Sequence, residues 1–240
     1  MTKDIREAMR RAADTHDQWR VTHKGTRFDD RGRFLPEPGN TVVCHLDAGS
    51  SSEAAVIAAR AQCKTLPEAD RLTFTPIPSL HMTLFQGVIE YRRHAPYWPQ
   101  DMALDTPIER MTEHYLARLD GFQPGAAFRM RATALSPTGL TLQGAEPADI
   151  RALSDWRNRL ADVFGYRHPD HDSYRFHVTF AYLVEPMSEE AKAVWAEEVP
   201  KILTELVAAA PIIDLMPPAF CAFEDMEFFD ELLVLGDQGG

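Results

Sequence analysis

Two short stretches of the chain, Leu80–Leu84 (LHMTL) and Phe176–Phe180 (FHVTF), alternate polar and apolar residues. A period of two is typical of a β-strand, in which successive side chains point to opposite faces of the sheet. Each histidine therefore shares one face with the threonine two residues later, while the apolar residues pack on the other face. Both stretches predict a strand that presents an imidazole and a hydroxyl together.

The repetition of this pattern is more informative than either copy. A His-x-Thr triplet is expected about 0.6 times by chance in a chain of this composition, but two copies with apolar flanks are expected about 0.002 times. Strand alternation raises the second number somewhat, because strands place polar residues between apolar ones. The candidate catalytic residues are therefore His81, Thr83, His177 and Thr179.

The overall composition predicts a folded protein with an acidic surface. The 240-residue chain is 45% hydrophobic, which is enough to bury one large core. It has 25 Lys and Arg residues against 36 Asp and Glu residues, a formal net charge of -11. This balance argues against a long nucleic-acid polymer as a partner, leaves room for a small anionic substrate in a local cleft and favours a monomer.

The cysteines and the hydropathy predict a cytoplasmic location. Cys44, Cys63 and Cys221 are an odd number of cysteines without a Cys-x-x-Cys pair, so we expect buried thiols in a reducing compartment. No apolar run approaches the roughly 18 residues of a membrane span. Residues 1–20 mix charges of both signs without an apolar segment. We therefore expect no contact with a membrane.

Predicted strands and helices alternate along the chain. A charged helix is predicted over residues 4–20, before a loop rich in Gly and Pro over 22–40. The later helices are predicted over residues 50–66, 106–119, 147–164 and 188–209. The strands are predicted over residues 41–47, 71–76, 80–89, 128–135, 140–142, 174–184, 212–223 and 231–235. Since no composition break marks a linker, we predict an N-terminal helix and loop extension, residues 1–40, and a single bilobal domain, residues 41–240.

The paired motifs fit the chemistry of a phosphoester. Opening a cyclic phosphodiester requires a base that deprotonates the attacking water and an acid that protonates the departing ribose oxygen. Histidine can hold either protonation state near neutral pH, so two opposed imidazoles supply both functions. Thr83 and Thr179 would donate hydrogen bonds to the non-bridging oxygens of the phosphate. The sequence leaves open which histidine is the acid.

The two motifs, 96 positions apart, resemble the hallmark of the two-histidine phosphoesterase superfamily, which includes the bacterial RNA 2′,3′-cyclic phosphodiesterases also called 2′-5′ RNA ligases. The resemblance covers residues 41–235 by the order of strands and helices, and its specificity rests on the two motifs. The chain therefore resembles a divergent branch of the superfamily. The resemblance implies an α+β fold of two pseudo-symmetric lobes, with mainly antiparallel sheets, helices on the outer faces and a central cleft. It also implies a metal-independent phosphoric diester hydrolase without a cofactor, acting on a nucleotide or an RNA terminus.

Four further residues are candidates for substrate binding. His45 lies on the first predicted strand, on the face that could line the same cleft. Tyr174 and Arg175 shortly precede His177, where they could contact a phosphate or a base. Arg131 alternates with apolar residues on a later strand and could bind an anion. An ordinary solvated strand face is the alternative for each.

Two other functions stay open at this point. The first is a non-catalytic module that binds a nucleotide or an RNA end in the same cleft. The second is a metal-dependent phosphoesterase that uses His168, His171 and His177, since histidine is a common metal ligand. The spacing of these histidines matches no established metal signature, so we predict no metal site.

Overall fold

The computed structural model of the protein describes residues 19–236, so the predicted helix over residues 4–20 lies almost wholly outside the described residues. The strands are β1 (Gly39–His45), β2 (Leu72–Phe74), β3 (His81–Ile89), β4 (Met130–Ser136), β5 (Gly139–Gly144), β6 (Phe176–Thr179), β7 (Ala181–Leu183), β8 (Ala219–Phe223) and β9 (Asp230–Val234). The longer helices are α1 (Ser51–Cys63), α2 (Ile108–Leu119), α3 (Pro147–Phe164) and α4 (Glu189–Ala209).

Seven strands form one sheet in the order β4-β5-β6-β3-β1-β8-β9, and β2 pairs with β7 in a separate two-stranded sheet. Every strand pair in the two sheets is antiparallel. The α+β class with mainly antiparallel sheets is therefore confirmed. The two motif strands, β3 and β6, are neighbours near the centre of the larger sheet, so both halves of the molecule share that sheet.

The helices cover one face of this sheet. The helix α1 begins after Ser50, whose hydroxyl accepts a hydrogen bond from the backbone N–H of Glu53 at 3.0 Å, an arrangement that satisfies an otherwise unpaired donor of the first turn. The helix α3 ends at Gly165, which adopts the left-handed conformation with φ 79°. Trp156 of α3 and Trp195 of α4 are almost fully buried in the same core as the apolar residues of the motif strands. The opposite face is left open for a cleft.

The predicted strand over residues 174–184 is broken at Phe180. Pairing between β5 and β6 ends where Gly139 lies opposite Thr179. The next backbone N–H, that of Phe180, donates to the carbonyl of Thr138 in the β4–β5 turn. The chain then leaves the large sheet because β5 offers no further partner, and β7 pairs with β2 instead. This departure carries Tyr182 to the cleft.

The predicted strand over residues 212–223 begins only at Ala219. Pro217 and Pro218 precede it, and neither has a backbone N–H for a ladder hydrogen bond.

The loop that precedes β1 packs against the cleft. Phe28 is fully buried, and its ring centroid lies 6.0 Å from that of Tyr182. The Nε atom of Arg27 donates to Glu37 Oε2 at 2.6 Å, and Glu37 is buried as well. This part of the predicted extension therefore forms one wall of the cleft.

The prediction of buried thiols is confirmed, because Cys44, Cys63 and Cys221 are all free and buried. Burial raises the pKa of Cys63 to about 11 and that of Cys221 to about 12, so these thiols stay protonated near neutral pH. Within residues 19–236, no helix combines the length and the apolar character that crossing a bilayer requires.

His168 is a buried imidazole in an aromatic cluster on the helix-covered side. It is 6% exposed, stacks on Tyr166 at 5.4 Å and meets the edge of Tyr97 at 4.9 Å between centroids. Burial lowers the pKa of His168 to about 3, since a charged ring would lose its hydration there. Two nearby guanidinium groups, those of Arg92 and Arg157, lower the pKa further.

This burial predicts a pH-dependent stability. Between pH 6.5, the ordinary pKa of histidine, and about pH 3, the unfolded chain binds a proton at His168 that the folded protein does not. The free energy of unfolding therefore falls as the pH falls, with a contribution of about 1.4 kcal/mol per pH unit from this residue. His168→Gln should reduce the slope of stability against pH by that amount in urea titrations between about pH 6.5 and pH 4. An unchanged slope in the variant would contradict the assignment.

Candidate active site

The two His-x-Thr motifs lie side by side on neighbouring strands. Met82 of β3 is directly opposite Val178 of β6, and both are fully buried on the helix-covered face. Because alternate residues point the other way, the antiparallel register sets the histidine of each motif beside the threonine of the other on the opposite face. The four motif side chains that line this cleft are His81, Thr83, His177 and Thr179.

Both imidazoles are held by the same local contact. His81 Nδ1 lies 2.7 Å from the carbonyl oxygen of Ser79, and His177 Nδ1 lies 3.0 Å from that of Arg175. A carbonyl oxygen only accepts hydrogen bonds, so Nδ1 carries the proton in each ring. Each Nε2 is therefore the nitrogen that can gain or lose a proton. The acceptor in both cases belongs to the residue two positions earlier.

The environments of the two histidines differ. The ring of His81 packs at 4.1 Å from that of Phe229 between centroids. Burial lowers the pKa of His81 to about 3, and the charges of the nearby His45 and His177 lower it further, against a hydrogen bond to Ser79 that raises it. His177 is exposed. His81 is thus neutral near neutral pH, whereas His177 stands in contact with solvent.

His45 takes a different place from the predicted one. It lies opposite His81 in the β1–β3 pair, with 6.0 Å between the ring centroids. Its Nδ1 atom lies 2.9 Å from Glu231 Oε1. It is absent from the cleft lining. The structure therefore puts His45 beside His81, outside the cleft lining, with its ring in contact with Glu231 of β9.

Tyr174 lines the cleft as predicted, and two other binding candidates do not. The hydroxyl oxygen of Tyr174 is buried and has no hydrogen-bond partner among the described residues. Arg175 contributes its carbonyl to His177, while its side chain lines a neighbouring cavity. Arg131 is exposed on β4. Since β5 lies between β4 and β6, Arg131 starts about 10 Å from the motif strand, and its predicted role in the cleft is not supported.

A β-bulge in β3 adds a polar side chain to the cleft. Val42 of β1 lies opposite Phe85, but its neighbour Val43 lies opposite Thr83, so β3 contains one extra residue. Leu84 and Phe85 are both buried, and the alternation resumes with Gln86 on the cleft face.

The bulge exposes a carbonyl that needs a partner. The buried guanidinium of Arg157, from α3, donates through Nη1 to the carbonyl of Leu84 at 2.6 Å. Strict alternation would have put Gln86 on the helix-covered face. Sequence periodicity therefore missed this residue.

The charge of the cleft is opposite to that of the chain. Arg27 and Arg92 line it, and within the described residues neither Asp nor Glu does. The strand and helix patterns of the sequence did not indicate either arginine, because each lies in a segment between the regular strands. For Arg92, a signal was present in the consecutive Arg92 and Arg93 shortly after the first motif strand of an acidic chain. The lining therefore suits an anion.

The three histidines of the metal hypothesis do not converge. His168 lies in the aromatic cluster, and His171 Nε2 lies 3.1 Å from the Asn158 side-chain oxygen. His177 faces the cleft. Residues 19–236 contain no group of three or more His, Cys, Asp and Glu side chains arranged to hold a metal ion. The hypothesis of a metal centre built from these histidines is therefore wrong.

Comparisons with known proteins agree with the geometry. The 2H-phosphodiest family model, described as a domain of unknown function (DUF1868), matches residues 27–141. A conserved protein of unknown function from Agrobacterium tumefaciens, known from its crystal structure, is 50% identical to this chain in sequence. The two structures superpose with a TM-score of 0.89, and the match covers 90% of this chain and 94% of that one. No functionally curated protein matches significantly. The family model includes the first motif, and the similar structure extends over most of the chain.

The burial of His81 predicts its titration. In the free protein its ring should stay neutral between about pH 5 and pH 8, since its pKa is lowered to about 3. An NMR titration of the histidine ring carbons checks this, with His81→Ala used to identify the resonance. The nitrogen shifts should also report a protonated Nδ1. A midpoint of His81 near 6.5 would contradict the described environment.

Proposed function

Because the chain belongs to the two-histidine phosphoesterase superfamily, we propose that it hydrolyses 2′,3′-cyclic or related small cyclic phosphodiesters without a metal ion. The substrate is a nucleotide or a short RNA end. The observation that carries the proposal is the pairing of the two motifs across Met82 and Val178, with each Nδ1 bonded to a backbone carbonyl. Two free Nε2 atoms and two hydroxyls then surround one phosphate.

The proposed reaction uses each of these groups once. The phosphate binds over the β3–β6 pair, where Thr83 and Thr179 donate hydrogen bonds to its non-bridging oxygens. A water molecule attacks phosphorus and loses its proton to Nε2 of one histidine. The bond from phosphorus to one ribose oxygen breaks, and that oxygen receives a proton from Nε2 of the other histidine. The product is a phosphomonoester with a free hydroxyl.

The different environments of the histidines support an assignment of roles. His81 is neutral and lies against Phe229, so it is ready to accept the proton of water as the base. His177 lies exposed in the same cleft, where it can take up a proton from solvent. An anionic phosphate beside it stabilises the imidazolium and so favours the acid form. We therefore assign His81 as the base and His177 as the acid.

Substitution of the histidines tests the reaction. His81→Ala and His177→Ala should each lower kcat by about 10²–10⁴ on nucleoside 2′,3′-cyclic phosphates or short RNAs with cyclic ends, because each removes one proton transfer. The double variant should lose little more, since the two residues act as a unit. Activity is measured by chromatography of the phosphomonoester product, with EDTA present and absent. His94→Ala, an exposed histidine outside the cleft lining, is the matched control.

Three outcomes would count against this proposal. Full activity of His177→Ala would remove the paired-histidine mechanism. Loss of wild-type activity in EDTA would indicate a metal-dependent reaction. Thermal stabilisation by the cyclic nucleotide without any product after prolonged incubation would indicate a binding module, because a ligand stabilises the folded state whether or not chemistry follows.

The roles of the two histidines are tested by the leaving group. A p-nitrophenyl phosphodiester releases an anion that needs no proton, so general acid catalysis contributes little. His177→Ala should therefore recover most of its lost rate on a nucleoside p-nitrophenyl phosphodiester, relative to wild type on the same compound. His81→Ala should remain impaired, because the attacking water still needs a base. Recovery by His81→Ala instead would reverse the assignment.

A further inference from the structure

We propose that the cleft contains a second anion-binding subsite centred on Arg92, so that the substrate carries a phosphate or carboxylate in addition to the reacting phosphodiester. This inference rests on the proposed function, because it concerns the same cleft. It goes further by defining the class of substrate. Arg92 ends the short 3-10 helix that follows β3, Glu90–Arg92, and lines the cleft together with the four motif residues.

The contacts of Arg92 include no ion pair among the described residues. Its Nη1 atom donates to Gln86 Oε1 at 3.2 Å, and this acceptor is a neutral amide. Its Nε atom is buried and has no hydrogen-bond partner among the described residues. Within residues 19–236 no carboxylate lies within ion-pair distance of this guanidinium. A donor and a full positive charge are therefore both available to a ligand.

The position of Arg92 is fixed by an aromatic ring. The guanidinium lies 4.6 Å from the centroid of the Tyr97 ring, a typical cation–π distance. The Tyr97 ring in turn meets His168 edge to face at 4.9 Å. Burial lowers the pKa of Arg92, which means that its charged form is partly desolvated. Such a charge is costly to keep without a counter-ion, and a bound anion would remove that cost.

The second arginine of the cleft does not share this property. Arg27 already has a buried carboxylate partner in Glu37 at 2.6 Å, and its Nη1 atom donates to the Tyr182 hydroxyl at 3.3 Å. Its charge is therefore balanced within the protein. Arg92 is the better candidate for recognition of an anion, with Arg27 adding only a weaker field.

The subsite lies beyond the motifs along β3. A strand advances about 3.3 Å per residue. Across the bulge, Thr83 lies opposite Val43 and Gln86 lies opposite Thr41, so Gln86, which orients Arg92, is about two strand residues, roughly 7 Å, further along the sheet than the motif threonine. The reacting phosphate is placed over the β3–β6 pair, at the near end of this interval. A second anionic group joined to it by a short spacer, as the ribose of a phosphorylated nucleotide joins its phosphates, would reach Arg92.

A pair of matched substrates tests the subsite. We expect wild-type kcat/KM for adenosine 2′,3′-cyclic phosphate to rise roughly 10- to 100-fold when the compound also carries a 5′-diphosphate, since a charge-assisted contact is gained. Arg92→Gln should remove this advantage, so that the two compounds react with similar kcat/KM. Arg92→Lys should keep part of the advantage because it keeps the charge. Arg131→Gln, an exposed arginine outside the cleft lining, is the control.

A binding measurement separates this inference from the catalytic proposal. Calorimetry with His177→Ala measures the affinity for the same two compounds without turnover. We expect His177→Ala to bind the 5′-diphosphate compound more tightly and to lose this preference when Arg92→Gln is added. That result supports the subsite even if the wild-type protein hydrolyses neither compound. Equal affinities for the two compounds, or an equal loss for both with Arg92→Gln, would overturn the subsite. Hydrolysis by the wild type would in that case leave the catalytic proposal standing.

Discussion

The antiparallel pairing of Met82 with Val178 is the constraint on which the site depends. Both side chains are fully buried, so a slip of one residue would expose them and turn the motif side chains into the core. The hydrophobic effect at two apolar positions therefore fixes where four polar side chains lie. The same register explains why each histidine has the threonine of the other motif as its neighbour. Two weak local patterns thus become one site only through this contact.

The second determinant of the cleft is the bulge in β3. It removes Phe85 from the cleft face and brings Gln86 there, at the point where Arg157 binds the carbonyl of Leu84. A buried arginine is costly unless its donors are used, and here it satisfies a carbonyl that the sheet leaves unpaired. An interaction on the helix-covered side therefore shapes the polar lining on the other side, including the amide that orients Arg92.

The cleft and the chain as a whole carry charge of opposite sign. The chain carries a net charge of -11, while the described lining of the cleft has two arginines and neither Asp nor Glu. The acidic surface disfavours a long polyanion, and the cleft suits a small one. His81 remains neutral in this cleft through burial against Phe229, whereas His177 is exposed, so the two histidines of the repeated motif stand in different environments. The two motifs have the same backbone arrangement, but their histidines have different neighbours.

The sequence by itself determined the four motif residues, because the alternation around His81 and His177 is a strong local signal. The resemblance that these motifs carry implied the α+β class and the cleft, and the cysteine pattern predicted the buried thiols. Only the tertiary structure decided that His45 lies beside His81, that Arg131 is outside the cleft, and that Arg27, Gln86 and Arg92 line it. These placements depend on strand order, on a bulge and on loop packing. Each is a contact between distant parts of the chain, which periodicity along the sequence does not encode.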